Sequence, residues 1–244
     1  TPLYSSAASD VYKRQLHWYD LLTILEDALM IPGYLDPDYP GIVVVHAGGN
    51  GGPGYGTLTS PSYATLPISV GASTSFGTTA SSIFGIVGGY SDDVIPWSAT
   101  GPTPQGNAKP DVVNVGAWAW VPGPVWSGQG DGRNASGYFG GTSLATPLTS
   151  GSVALLIQAY AKAHRSKPTP EAAKVILKST ARDLGYDVFL QGSGRVDCFA
   201  AVSLALETSG VTIASPITWE NVRTRIQYSW SAAAGFFGYP LHVS

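Results

Sequence analysis

Cysteine is almost missing: Cys198 stands alone among 244 residues. A lone thiol excludes an internal disulfide and any metal site built from several cysteines, though it leaves the compartment open. Charge is scarce too. Asp, Glu, Lys and Arg make up 12% of the chain, about half the usual share of roughly 25%. The net charge is −3 and no Lys/Arg run exceeds a pair, which argues against nucleic-acid binding, a function that shows as a basic face. Long apolar runs are also lacking. Stretches such as Ile42 to Ala47 and Val153 to Ile157 fall far short of the ~20 residues that span a bilayer as a helix. Histidine occurs only as His17, His46, His164 and His242, so few imidazoles could serve as a general base.

What is plentiful is Gly (30), Pro (18) and hydrophobic residues (44%). That mixture predicts a loop-rich chain with a sizeable core, one large domain or one domain and part of another. Residues 1–15 are set apart. Asp10 to Gln15, DVYKRQ, resembles the translated transposase adapter of a sequencing library, and such a segment is excluded from fold reasoning. The genuine sequence is then expected to begin near Leu16, inside a domain whose N-terminal half is missing.

Residues 17–30 predict a helix, with Trp18, Leu21, Leu22, Leu25, Ala28 and Leu29 on one face. Pro32-Gly33 ends it. Ile42 to Ala47, IVVVHA, is a continuous β-branched run. It predicts an interior strand, buried on both faces and paired on both sides unless a neighbour has been cut away, as in a parallel sheet. Pro67 to Ala72 and Asp111 to Gly116 are two further strand candidates, and the Ser/Thr/Gly-rich residues 73–93 read as a surface excursion. Residues 142–164 predict a helix with Val153, Leu156, Ile157 and Tyr160 inward. A second helix starts at Thr169, where Thr169 caps, Pro170 suits the first turn and Glu171 complements the dipole. Ala172, Val175 and Ile176 are expected to form its buried face. Gly192 to Gly194 is a turn, and a last helix covers about 197–206. Strands alternating with helices indicate an α/β layered fold. Residues 208–244 lose the helical period and read as the start of a β-rich module.

Two segments carry chemistry. Gly140-Gly141-Thr142-Ser143-Leu144-Ala145-Thr146-Pro147 runs into a helix. The glycines allow a tight turn and close approach of a substrate. A serine at a helix N-terminus lies where free N–H groups and the dipole stabilise negative charge, which suits a nucleophile whose attack creates an oxyanion. Taken alone, such a serine is more often a simple cap. The second segment is Asn50 in HAGGNGGPG, directly after the Ile42–Ala47 run. A loop at the C-terminal end of a parallel strand is where α/β proteins place their sites, and the Asn amide can donate to an oxyanion. Taken alone, it also reads as a turn Asn.

Together these segments resemble the subtilisin-like serine peptidases, the subtilases. GTSLATP matches the family's nucleophile motif Gly-Thr-Ser-Met-Ala-x-Pro at all but one position, and VVVHAGGNGGPG is similar to its oxyanion-Asn segment. TSPSYATLPISVGAS, SATGPTPQGNAKPDVVNVGA, ILKSTARDLG and GSGRVDCFAAV resemble further family stretches, so the likeness covers roughly residues 17–206. It implies an α/β three-layer fold with a largely parallel central sheet, truncated at the N-terminus, with the peptidase part over 16–207. It implies Ser143 as nucleophile and Asn50 as oxyanion donor. It also implies Pro61 as the cis-proline of the substrate loop, with Ala47, Gly48, Gly49 and Thr59 near the pocket for the residue before the scissile bond. The implied partner is a polypeptide substrate and the implied setting extracytoplasmic. No cofactor is implied. Apart from the resemblance, Asp92-Asp93 and Asp36/Asp38 could bind calcium through carboxylate oxygens, although such pairs are more often solvated turn residues.

There are two departures. Leu144 stands in place of the family's Met, a swap that conserves volume and removes an oxidisable sulfur. More seriously, the family's triad runs Asp, His, Ser, and no histidine here sits in a His-Gly-Thr context. His46 reads as a hydrogen-bonded core histidine. Without a base to take the Ser143 proton, the chain by itself is expected to be inert. Asn134-Ala135-Ser136 fits the short N-glycosylation pattern. Three other readings compete. Gly49 to Gly54 fits GxGxxG, but PGYGTLTSPSYATLP follows in place of the helix that a dinucleotide site requires. Gly141 to Ala145 with Asp183 or Asp187 and then His242 gives α/β-hydrolase order, but no buried strand enters the serine. A non-catalytic binding module on the subtilase scaffold is the third.

Overall fold

The computed structural model describes residues 20–74, 93–117, 119–122 and 136–207, and the strand residues 218–221, 226–229 and 241–243. The adapter-like residues 1–15, His17, Trp18, Asp92, Asn134 and most of the 73–93 excursion lie outside the described residues.

The central sheet has three parallel strands in chain order: β1 (Val45–Ala47), β2 (Ile68–Thr74) and β3 (Val112–Ala117). Strand β2 is buried along its whole length, as a strand paired on both sides should be. Helix α1 (Leu21–Met30) precedes β1. After β3 come the antiparallel pair β4 (Ala119–Pro122) and β5 (Ser136–Phe139). They lead to α2 (Thr142–His164), then α3 (Pro170–Ser179), the short α4 (Val188–Gln191) and α5 (Cys198–Glu207). Strands β6 (Thr218–Asn221), β7 (Ile226–Ser229) and β8 (Leu241–Val243) form a separate antiparallel sheet.

The main core lies between the sheet and its C-terminal helices. Helix α2 crosses all three strands. Its Val153, Leu156, Ala159 and Tyr160 meet Ile68, Val70 and Val112, with Ile176 and Leu177 of α3 and Ala201 and Ala205 of α5 behind them. Val43 and Val45 pack against the same cluster. Strand alternation then turns His46 to the opposite face, where its Nε2 meets Glu26 Oε1 of α1 at 2.7 Å. Helices therefore lie on both faces of a parallel sheet.

Three expectations need correction. First, Ile42–Ala47 is not buried on both faces, and among the described residues it is paired on one side only. Only Val45–Ala47 is strand, it pairs with β2 alone, and Ile42 is 47% exposed. Among the described residues no strand borders its outer edge. Second, the apolar face of α1 points outward. Leu21, Leu22 and Leu25 are exposed, whereas Thr23, Glu26, Ala28 and Met30 are buried. Polar bonds to the body hold that inner face: Asp27 Oδ1 accepts from Leu66 N, and Glu26 Oε1 meets His46 Nε2, while Asp20 caps the helix itself through Thr23 N. Third, α3 buries Ala173, Lys174, Ile176 and Leu177, while Ala172 and Val175 are only half-buried. The face is rotated because Lys174 points inward, toward Asp111. The Thr169 cap and Pro170 at the first position are as the sequence predicts, with Thr169 Oγ1 accepting from Ala172 N at 3.1 Å.

Candidate active site

Loops at the C-terminal ends of β1 and β3 converge on the start of α2. The β1 loop begins with Ala47, Gly48 and Gly49. Gly48 N donates to Val70 O at 2.9 Å, and Gly48 O accepts from Thr59 N and Ser62 Oγ. Gly49 has φ +109, and a Cβ there would come 3.2 Å from Thr59 Oγ1. Glycine is therefore required both by the dihedral and by the space. The Ser60–Pro61 peptide is cis, in the turn that follows Thr59. Ala47, Gly48, Gly49, Thr59 and Pro61 thus share one neighbourhood.

On the other side, Gly116 O at the end of β3 accepts from Gly141 N at 2.7 Å. Gly141 has φ +112 and precedes α2 with no side chain to cap it. Ser143 is the second residue of α2 and is exposed. Its hydroxyl therefore lies beside helix N–H groups that have no partner within the helix, at the positive end of the dipole. Pro147 lies farther inside α2, and its missing N–H leaves the Ser143 carbonyl without its i+4 donor.

Asn50 joins the two loops. Its Oδ1 accepts from Thr142 N at 2.9 Å and from Thr142 Oγ1 at 3.1 Å. Gly49 N donates to Thr142 Oγ1 at 3.2 Å. The Asn50 amide is thereby held one residue from Ser143. Thr142 belongs to the serine motif, yet its bond to Asn50 has no signature in the sequence. Its partners are 92 and 93 residues away, and spacing carries no signal for that.

The described histidines lie elsewhere. His46 Nε2 is engaged by Glu26. His164 is the last residue of α2 and bonds to Ala205 O at 3.0 Å, about 30 Å along the helix from Ser143 at 1.5 Å per residue. The side chain of His242 lies outside the described residues. Asp36 Oδ1 accepts from Asp38 N, and Asp93 Oδ1 from Tyr186 OH. Among the described residues no three His, Cys, Asp or Glu side chains gather closely enough to hold a metal ion, and no helix is long and apolar enough to cross a membrane.

A charged cluster lies just before β3, at the opposite end of that strand from Gly116. Asp111, just before β3, is 1% exposed and receives Lys109 Nζ at 2.6 Å, Lys174 Nζ at 3.1 Å and Lys178 Nζ at 3.2 Å. It also accepts from Ser69 N of β2 at 2.9 Å. Burial would push its carboxyl up, but the three ammonium groups outweigh burial and hold it far below the usual carboxylate range. Lys174 completes its shell with the carbonyls of Thr65, Leu66 and Pro67. Lys109-Pro110-Asp111 is visible as a motif, whereas Lys174 shows only as a charge on an otherwise apolar helix face.

Known proteins resemble this chain over the same region. The Subtilase family model matches residues 26–195. Pyrolysin of Pyrococcus furiosus is 33% identical over 193 residues, 71% of this chain and 13% of that protein. Human membrane-bound transcription factor site-1 protease is 33% identical over 67% of this chain and 14% of its own length. Serine protease AprX of Bacillus subtilis is 34% identical over 64% of this chain and 34% of its length. The chain thus spans a small part of these relatives. Among solved structures, a lanthipeptide protease superposes with a TM-score of 0.53 at 20% identity, covering 67% of this chain and 50% of that one. The prenylagaramide maturation protease PagA gives 0.50 at 21% identity, over 66% of this chain and 50% of its own. With the family model spanning both the Asn50 loop and the Ser143 turn, this chain belongs to the subtilase family.

Proposed function

We propose that the chain carries the nucleophile-bearing part of a serine endopeptidase. Ser143 Oγ attacks the carbonyl carbon of a peptide bond, and the carbonyl oxygen becomes an oxyanion that Asn50 Nδ2 stabilises. The amine then leaves, and water hydrolyses the acyl group from Ser143. The observation that carries this reading is the Asn50 amide bound to Thr142 N, beside an exposed Ser143 at a helix start. The small side chains of Ala47, Gly48, Gly49, Thr59 and Pro61 supply a wall for the substrate residue before the cleaved bond. The substrate is a polypeptide met outside the cytoplasm.

The Ser143 proton needs a base that returns it to the leaving amine. His46 is held by Glu26, and His164 lies at the far end of α2. Neither described histidine is therefore placed to serve as the base, and the chain by itself is expected not to cleave peptides. That same observation favours a second reading, a non-catalytic module on a subtilase scaffold.

A fluorophosphonate serine probe separates the readings. The chain alone is expected to stay unlabelled. A longer chain that also supplies the base is expected to label at Ser143, and Ser143→Ala abolishes the label. No labelling of that longer chain favours the non-catalytic module. Labelling of the chain alone that disappears on replacing His242 would mean α/β-hydrolase chemistry.

A further inference from the structure

We propose that Asn50–Gly51 is a self-modification site: Asn50 deamidates, and the conversion removes the oxyanion donor. The consequence for activity rests on the peptidase reading of Ser143 and Asn50.

The asparagines of the chain are Asn50, Asn107, Asn114, Asn134 and Asn221, and only Asn50 is followed by glycine. The others precede Ala or Val. Asparagine is a labile residue. Its amide is lost when the main-chain nitrogen of the next residue attacks the side-chain carbonyl carbon. A Cβ on that next residue hinders the approach, and glycine has none.

The fold leaves this dipeptide open to the reaction. Asn50 and Gly51 are both exposed and lie outside any helix or strand. The chain is fastened on either side of them. Gly49 O accepts from Ala99 N at 2.9 Å, and Gly52 N donates to Trp97 O at 3.1 Å. Between those anchors, no acceptor among the described residues takes the Gly51 N–H, so no protein hydrogen bond has to break before it attacks. The carbon under attack is already polarised. Asn50 Oδ1 accepts from Thr142 N at 2.9 Å and from Thr142 Oγ1 at 3.1 Å. Donors held on that oxygen stabilise the negative charge it takes up as the carbon becomes tetrahedral.

The chemistry needs only the loop and one water. Gly51 N loses its proton, and its electron pair forms a bond to Asn50 Cγ. The adduct collapses by breaking the Cγ–Nδ2 bond, and Nδ2 leaves as ammonia with the proton that Gly51 gave up. A five-membered succinimide remains. Water opens it at Cγ to give aspartate, or at the main-chain carbonyl carbon to give isoaspartate. Either product carries a carboxylate in place of the amide. A carboxylate has no hydrogen to donate, and its charge repels the oxyanion formed when Ser143 attacks. Isoaspartate also adds a methylene to the main chain close to Gly52, where a Cβ would already collide with Pro96 O and Ser98 O.

The test uses a longer chain that also supplies the base, kept folded in mildly alkaline buffer and mapped by mass spectrometry over time. Asn50 is expected to convert while the other four asparagines keep their amides. Conversion should be slower in mildly acidic buffer, because Gly51 N must lose its proton, and in the folded chain no slower than in the free peptide HAGGNGGPG. Protection of Asn50 relative to that peptide overturns the inference. Gly51→Ala puts a Cβ beside the attacking nitrogen, 3.2 Å from Thr57 O. It is expected to keep its amide, and its own starting activity, for longer, and an equal rate of conversion overturns the inference. Peptidase activity should fall in proportion to the converted fraction, and Asn50→Asp should lower kcat at least about a hundredfold, as loss of one oxyanion donor does. If Asn50 converts while activity holds and Asn50→Asp stays active, the peptidase role of Asn50 fails and the modification site stands. If Asn50→Asp is inactive and Asn50 never converts, the inference fails and the peptidase role stands.

Discussion

The two sides of the parallel sheet are fastened by opposite means. Toward β3 and α2 the packing is apolar and extensive: Ile68, Val70, Val112, Val153, Leu156, Ile176 and Leu177 are all at most 4% exposed. Among the described residues the buried charges on this side are Asp111, Lys109 and Lys174, and each has partners. Toward β1 and α1 the arrangement is inverted. Glu26 and Asp27 face the body, while Leu21, Leu22, Ile24 and Leu25 are 44–81% exposed. Burial of apolar area, at about 25 cal/mol per Å², stabilises the first side. On the second, a few hydrogen bonds worth about 1 kcal/mol each add to the burial of Ala28 and Met30.

The largest effect should come from Asp111→Ala. It strands Lys174 and Lys109, each at most 2% exposed, beside no counter-charge. Removing one partner of a buried ion pair costs about 3–5 kcal/mol. Urea denaturation should show a midpoint shift of that size, and a change under about 1 kcal/mol would mean that the lysines relax into solvent. Leu156→Ala, at 0% exposure in the core, should cost about 2–5 kcal/mol. Lys174→Met should cost less than either, about 1–3 kcal/mol, since it leaves the carbonyls of Thr65, Leu66 and Pro67 short of a donor while Asp111 keeps Lys109 and Lys178.

These two sides are not equally legible in the sequence. On the β3 side the periodicity of α2 marks Val153, Leu156 and Tyr160 as inward, and they are buried. On the β1 side the same reasoning finds a helix but not its buried face. A 3.6-residue apolar period says that one face is apolar, and only the tertiary surroundings decide whether that face meets the body. IVVVHA likewise announces a strand, while its edge position depends on neighbours that local pattern does not encode. The Ser143 and Asn50 segments can be found because each is a compact motif. The Thr142 bonds and the Asp111 cluster join residues up to 93 and 67 positions apart and have no such mark.

The exposed face of α1 and the edge of β1 that no strand borders among the described residues predict the behaviour of the chain alone. Exposed apolar surface beside an unpaired strand edge promotes association. Light scattering should show aggregation at micromolar concentration. Replacing Leu21, Leu22 and Leu25 together with Gln or Lys should suppress it while changing stability by no more than about 0.5 kcal/mol per site, because these side chains bury little. A monomeric wild-type chain with a sharp melt would remove the contrast between the two sides. So would a large stability loss in the triple variant.

The smallest expected effect tests the sign of the contrast. Burial pushes the Glu26 carboxyl up, and the attraction of His46 only partly offsets it. Burial also raises Asp27, partly offset by the Leu66 N–H. A carboxyl whose folded pKa lies above its unfolded value stabilises the fold most below the unfolded value, about 4. That contribution is lost as pH rises through the folded value. Asp111 is opposite: its pKa is depressed, so its contribution is complete above about 4 and is lost as pH falls. Asp20 opposes Glu26 within α1, because hydrogen bonds from Ser60, Thr23 and Tyr63 outweigh its burial and lower its pKa. Protection of α1 amides against hydrogen exchange, corrected for the intrinsic pH dependence, should therefore fall between about pH 4 and 7 by less than about tenfold. Amides of β2 and β3 should hold constant over that window. Glu26→Gln cannot ionise and still bonds to His46, so it should flatten the α1 profile and leave β2 unchanged. If α1 loses protection equally in wild type and Glu26→Gln, the pH dependence belongs to Asp27, and Asp27→Asn should then abolish it.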